Sequence, residues 1–213
     1  MHNHFDQYLN LKQWILNRGP KVVVECGAGK GELTRKLSSL IDQCGFELHV
    51  ISDAPISGLD ERIQWKTGLS YKALNDFPAG SIDICIIDTD HNYWTLTKEL
   101  SVLFDRMSEG GLIAMHDVET FYHDTGMAMS YWDGEEYPKE EIEKCASQGG
   151  LGDALIDFLQ HKHMNFKLLA YTAESHGAAM IEKKTSNEFV IYVPGPQPEF
   201  AKPLEAEKEP VHV

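Results

Sequence analysis

Basic residues are scarce in this chain of 213 residues: Lys and Arg number 19 against 33 acids, for a net charge of −14. A nucleic-acid backbone is gripped through a basic face, so nucleic acid is not expected as a partner and small molecules are the better candidates. Cysteine is scarce as well. Cys26, Cys44, Cys85 and Cys145 are far apart, form no C-x-x-C pair, and two of them fall in apparent buried strands. That pattern reads as reduced thiols and a cytoplasmic location. Nowhere do 18 apolar residues run together, and the opening Met-His-Asn-His-Phe-Asp lacks a basic stretch followed by an apolar one. Neither a membrane span nor a targeting segment is expected. What remains, at 42% hydrophobic content, is enough for one full-sized core. A homo-oligomer is left open.

The most informative stretch is 22–31, Val-Val-Val-Glu-Cys-Gly-Ala-Gly-Lys-Gly. Val22 to Val24 read as a buried parallel strand, and Glu32 to Leu40 as the helix that follows. Between them, alternating Gly27, Gly29 and Gly31 allow a tight turn and a close approach to a ligand. A dinucleotide fingerprint needs G-x-G-x-x-G to seat a pyrophosphate on the helix N-terminus. Here the pattern is E-x-G-x-G-x-G, and the carboxylate of Glu25 suits a cationic ligand instead. A second apolar run, Leu48 to Ile51, is followed by Asp53, placed to accept hydrogen bonds from ribose hydroxyls or, more simply, to sit in a solvated turn.

Strand-like and helix-like segments alternate along the chain. Phe5 to Asn17 reads as a first helix stopped by Gly19-Pro20. Ile63 to Lys66, Ile82 to Ile87 and Leu112 to Met115 read as strands three to five, and Tyr71 to Asp76 as a short helix. Tyr93 to Met107 reads as a longer helix closed by Glu109-Gly110-Gly111. Leu151 to His163 is a further helix, and Phe166 to Tyr171 and Phe189 to Val193 are the last strands. Repeated βα units imply an α/β fold, a Rossmann-like doubly wound, mostly parallel seven-stranded sheet with helices on both faces. One domain is expected over 1–193, with 119–150 as a lid or insertion and 194–213 as a Pro- and Glu-rich mobile tail. Phe121, Tyr122, His123, Tyr131 and Trp132 in the insertion could line an acceptor pocket.

After strand four comes Asp88-Thr89-Asp90-His91, and strand five ends in His116-Asp117. Ligands of open α/β sheets bind outside the carboxyl ends of the strands. Asp88, His116 and Asp117 could therefore converge as O and N ligands of a divalent metal. Alternatively, Asp88 and Asp117 only cap helices.

The E-x-G-x-G-x-G stretch resembles motif I of the class I S-adenosylmethionine (SAM)-dependent methyltransferases. Residues 82–118, with Asp88-x-Asp90-His91-x-Tyr93, Glu109-Gly110-Gly111 and His116-Asp117-Val118, are similar to the metal-dependent small-molecule O-methyltransferases, in the macrocin O-methyltransferase and cephalosporin hydroxylase-like branch. The similarity extends weakly through His176-Gly177 and Ile181-Glu182-Lys183. It implies SAM bound by Glu25, Gly27, Ala28, Gly29, Gly31, Asp53 and Asp88, and a divalent metal, Mg²⁺ or Mn²⁺, held by Asp88, His116 and Asp117. His116 departs from the acidic pair usual in that branch; an imidazole ligand would favour Mn²⁺, Fe²⁺ or Zn²⁺ over Mg²⁺. The implied reaction is O-methylation of a small hydroxylated acceptor such as a sugar, glycoside or catechol. His91 or Asp90 would take the acceptor proton, with His91 preferred because it titrates nearer neutrality. Two other readings stay open: a SAM-binding protein without transfer, and a metal-dependent hydrolase or oxygenase using His91 and His116.

Overall fold

The computed structural model describes residues 9–119 and 150–185. A first helix, α1 (Leu11–Arg18), ends at Gly19 in the left-handed conformation. It is followed by β1 (Val22–Cys26), α2 (Glu32–Cys44), β2 (Glu47–Ser52), β3 (Gln64–Thr67), α3 (Ser70–Leu74), β4 (Ile82–Ile87) and α4 (Tyr93–Arg106). The chain continues with β5 (Met107–His116), α5 (Leu151–Lys162), β6 (Phe166–Thr172), a single 3₁₀ turn at Glu174–His176, and β7 (Ala178–Lys183).

The strands form one sheet in the order β3-β2-β1-β4-β5-β7-β6. All neighbours are parallel except β7, which runs antiparallel to both β5 and β6. The expected doubly wound, mostly parallel seven-stranded sheet is therefore present. Alternate residues of the central strands face opposite sides. Val24, Cys26, Cys85, Ile87, Ile113 and Met115 pack with Leu96, Leu100 and Leu103 of α4 and with Leu151 and Leu155 of α5. Val23, Ile84, Ile86, Leu112 and Ala114 pack with Leu11 and Ile15 of α1 and with Leu37, Leu40 and Ile41 of α2. Each such buried Val, Leu, Ile or Met side chain stabilises the fold by about 1.5–3 kcal/mol.

Two segments differ from the sequence reading. Among the described residues the seventh strand is Ala178–Lys183, which the sequence reading left unassigned; the expected strand Phe189 to Val193 lies outside the described residues. An interior strand buried on both faces shows a continuous apolar run rather than alternation, and Ala178 to Ile181 are fully buried between β5 and β6. Second, α4 stops at Arg106 and β5 begins at once. Met107 pairs with Ile82, and the register shifts before Ile84 meets Leu112. Glu109-Gly110-Gly111 is thus an irregularity inside a strand, with Gly110 at φ 75°, and not a helix stop. The insertion residues Phe121, Tyr122, His123, Tyr131 and Trp132, the start of the first helix at Phe5, Cys145 and the tail lie outside the described residues.

From β1 the chain steps outward through β2 to β3, then returns to place β4 on the other side of β1. The carboxyl ends of β1 and β4 flank this switch point, where such sheets open a ligand crevice.

Candidate active site at the sheet switch point

The glycine loop is fixed by backbone bonds to its neighbours. Gly27 N–H donates to the Ile51 carbonyl (2.9 Å), and Asp88 N–H donates to the Cys26 carbonyl (2.9 Å). Gly27 has φ +87°, and a Cβ there would collide with the carbonyl oxygen of Asp88. The glycine is thus required by contact between the two halves of the crevice. Gly29, at φ +50°, is different: a Cβ would meet nothing within 4 Å, so this glycine borders open space. Gly31 N–H donates to the Ala28 carbonyl (2.7 Å) and caps α2. The loop can accept a ligand's approach at Gly29 without disturbing the packing that Gly27 secures.

Glu25 is 1% exposed, and neither carboxyl oxygen has a hydrogen-bond partner. Burial pushes its pKa up to about 8; nearby Thr34 lowers it somewhat without reaching hydrogen-bond geometry, and Asp88 raises it further. The residue therefore lies between β1 and α2, largely protonated at neutral pH, and not as an exposed carboxylate on the loop. An unpartnered acid beside the glycine turn fits a cationic ligand group, which would favour its ionised form. Asp53 follows β2 and is exposed; its Oδ1 accepts from Ala54 N–H (2.9 Å) and Ser52 Oγ (3.0 Å).

Across the switch point, the ends of β4 and β5 bring together the residues singled out there. Donor atoms of Asp88, His116 and Asp117 all lie within 4.8 Å of one another. Asp117 Oδ2 is 2.9 Å from both His116 Nδ1 and His91 Nε2, and Asp88 Oδ1 is 3.7 Å from each of those nitrogens. His91 is raised to about 10 by its hydrogen bond to Asp117 and then by Asp88, against the opposing effect of burial. His116 is also raised: burial opposes the shift, but Asp117 and Asp88 outweigh it. Burial would raise Asp117, yet the two imidazoles hold it well below the usual carboxylate range. A carboxylate pair with adjacent imidazoles, at the open edge of the sheet, is a donor set that fits a divalent cation.

His91 does not cap the following helix. That role belongs to Asn92, whose Oδ1 accepts from Thr95 N–H at 2.8 Å. Asp90 is associated with a different group: its charge adds to the burial that pushes Glu99 up to about 7. Glu99, fully buried on α4, accepts hydrogen bonds from Ser70 Oγ and from Thr89 Oγ1 (2.8 Å). It thereby ties the start of α3 to the loop carrying Asp88 and His91. Sequence reading missed Glu99, whose only signal was an acid four residues before the buried Leu103 on the inward face of α4.

Comparison with known proteins agrees with this fold. Residues 24–118 match the family model of a methyltransferase domain. Over those residues the chain is similar to a methyltransferase domain. No curated protein matches the chain. Among solved structures, the S-adenosylhomocysteine (SAH)-bound methyltransferase PaMTH1 of Podospora anserina superposes with TM-score 0.58 at 16% identity, covering 87% of this chain and 80% of that one. MycE, a methyltransferase of the mycinamycin biosynthetic pathway crystallised with Mg and SAH, gives 0.55 at 19% identity. Its complex with Mg, SAH and mycinamycin VI gives 0.53 at 22% identity. Both MycE comparisons cover 89% of this chain and 51% of MycE, so the chain spans about half of that protein's length. At these identities the likeness concerns the fold. Among the described residues no helix is long and apolar enough to cross a membrane.

Proposed function

We propose that this methyltransferase domain moves the methyl group of SAM to a hydroxyl of a small acceptor, and that the transfer depends on a divalent cation. The observation that carries this reading is the Asp88, His116 and Asp117 cluster, which joins the glycine loop through the contact between Gly27 and Asp88. A SAM-binding module without transfer would have no use for that cluster. MycE, which holds Mg beside SAH, supports the pairing of cation and cofactor in this fold.

Methyl transfer from a sulfonium needs in-line alignment and, for a hydroxyl acceptor, removal of a proton. The glycine loop, Ala28 and the buried Glu25 would seat the methionine end of SAM, with Asp53 at the ribose. Asp88, Asp117 and His116 would hold the cation, which would lower the pKa of a bound hydroxyl and fix its position. His91 is assigned as the base in preference to Asp90. Asp117 Oδ2 serves both His91 and His116, and of the two side chains His91 is 34% exposed and His116 only 10%. His91 has room to turn toward an acceptor; Asp117 and Asp88 keep it charged in the cation-free chain, so it would take the acceptor's proton on Nε2 only once a cation on those two carboxylates offset their pull. Glu99 holds the loop that carries both groups.

The test is to incubate the protein with methyl-labelled SAM and a panel of catechols, sugars and glycosides, with EDTA and with Mg²⁺ or Mn²⁺. Acceptor-dependent SAH release that EDTA abolishes and a cation restores is the expected result. SAH release indifferent to EDTA would remove the cation from the mechanism.

A further inference from the structure

The sheet register brings a third histidine to the cluster. His116, the last residue of β5, pairs with Ala178, the first of β7. Two residues before that pair stands His176, beside Asp117. The approach is fixed by the main chain. Glu119 N–H donates to the His176 carbonyl (2.8 Å), and a Cβ at Gly177 would lie 2.7 Å from the Glu119 nitrogen. His176 (φ 69°) and Asp117 (φ 57°) are two of the three non-glycine residues with positive φ among the described residues. His176 Nδ1 lies 3.9 Å from Asp117 Oδ1, while His116 and His91 are on Oδ2. Imidazoles thus stand at both oxygens of one carboxylate.

Donors on a shared first-row ion, with bonds of about 2.0–2.2 Å, are separated by about 2.8–3.6 Å. The separations here run from 2.9 Å (His116 to Asp117) to 3.7 Å (His116 to Asp88) and 3.9 Å (His176 to Asp117). The His176 side chain is 83% exposed, so packing does not hold its ring away, although as it stands only Asp88, His116 and Asp117 have donors within 4.8 Å of one another. Mg²⁺ prefers oxygen ligands and retains several waters, whereas imidazole suits Co²⁺, Zn²⁺ and their neighbours.

We infer that His176 is a fourth donor, with Asp88, His116 and Asp117, of a mixed imidazole and carboxylate centre that selects a first-row transition ion over Mg²⁺. This rests on the proposed cation site and goes beyond it by naming a ligand from β7's approach and the class of ion. His91 stays outside the donor set, as the base.

The test titrates Co²⁺ and Mg²⁺ into the EDTA-stripped full chain, followed by calorimetry and by the visible bands of bound Co²⁺. Co²⁺ should bind on the order of 100-fold more tightly than Mg²⁺, in keeping with the donor set. His176→Asn is the variant of choice, because Asn tolerates left-handed backbone. It should weaken Co²⁺ by about tenfold and alter its bands, while leaving Mg²⁺ and SAM affinity within about twofold. Mg²⁺ binding as tightly as Co²⁺, or a His176→Asn variant with unchanged Co²⁺ affinity and spectrum, would overturn the inference while leaving the cation site standing. If neither ion bound the wild-type chain, the cation site itself would fail.

Discussion

The two ends of the crevice are held together by different forces. At the β1 end, position is set by main chain: Gly27 N–H on Ile51, Asp88 N–H on Cys26, and glycines where side chains have no room or would meet a ligand. The buried acid there, Glu25, is kept largely neutral by burial. At the β4 and β5 end, position is set by charge, with two carboxylates and three imidazoles within 4 Å contacts. A backbone-built site is preorganised and tolerates little added volume, whereas a charge-built site awaits a counterion and tolerates changes of shape better than changes of charge. The ends meet at Gly27 and Asp88, so the comparison can be broken there and sharpened elsewhere.

The largest effect is expected from Gly27→Ala. A Cβ against the Asp88 carbonyl at φ +87° combines overpacking with backbone strain, together costing about 3–5 kcal/mol. Chemical denaturation should report that loss, with SAM and cation binding failing together. Asp117→Ala comes next. It should lower cation-stimulated methyl transfer by at least about 100-fold in steady-state assays, because it removes the oxygens shared by all three histidines. Gly29→Ala should be milder in the fold, about 1–2 kcal/mol from its left-handed backbone alone, since no neighbour lies within 4 Å of its Cβ.

The smallest effect is a pH slope. Glu25 sits near 8 in the fold against an ordinary value of 4.5, so the folded chain keeps a proton that the unfolded chain releases. This contribution is complete below about pH 4.5 and is lost as pH rises toward 8. Glu25→Gln should flatten that decline in a series of melting curves from pH 5 to 8. Part of the slope should persist, because Glu99, near 7, acts in the same sense.

The same contrast governs what could be read from the sequence. The β1 end is contiguous: strand, acid, glycines and helix follow one another over residues 22–44, and local spacing carries them. The mostly parallel, doubly wound sheet followed from repeated βα units, and the pairing of β4 with β5 brought Asp88, His116 and Asp117 together as expected. His176 entered only as part of a weak resemblance, because residues 178–183 were not read as a strand. The true β7 begins Ala-Ala, weak strand formers by propensity that fit an interior position where side-chain volume is restricted. Without a strand at 178–183, nothing links His176 to His116. Glu25 was legible as an acid but not as a protonated one, since its burial depends on how α2 packs over β1. Glu99 was invisible for a similar reason, its partners Ser70 and Thr89 coming from two other loops.

The central claim is that cofactor and cation occupy separable ends of one crevice. Calorimetric titration of SAM into the EDTA-stripped wild-type chain, Gly29→Val and Asp117→Ala tests it directly. The account predicts micromolar binding to the wild type, nearly the same affinity for Asp117→Ala, and loss of binding in Gly29→Val. Undiminished SAM binding to Gly29→Val, or its loss in a folded Asp117→Ala, would contradict the account.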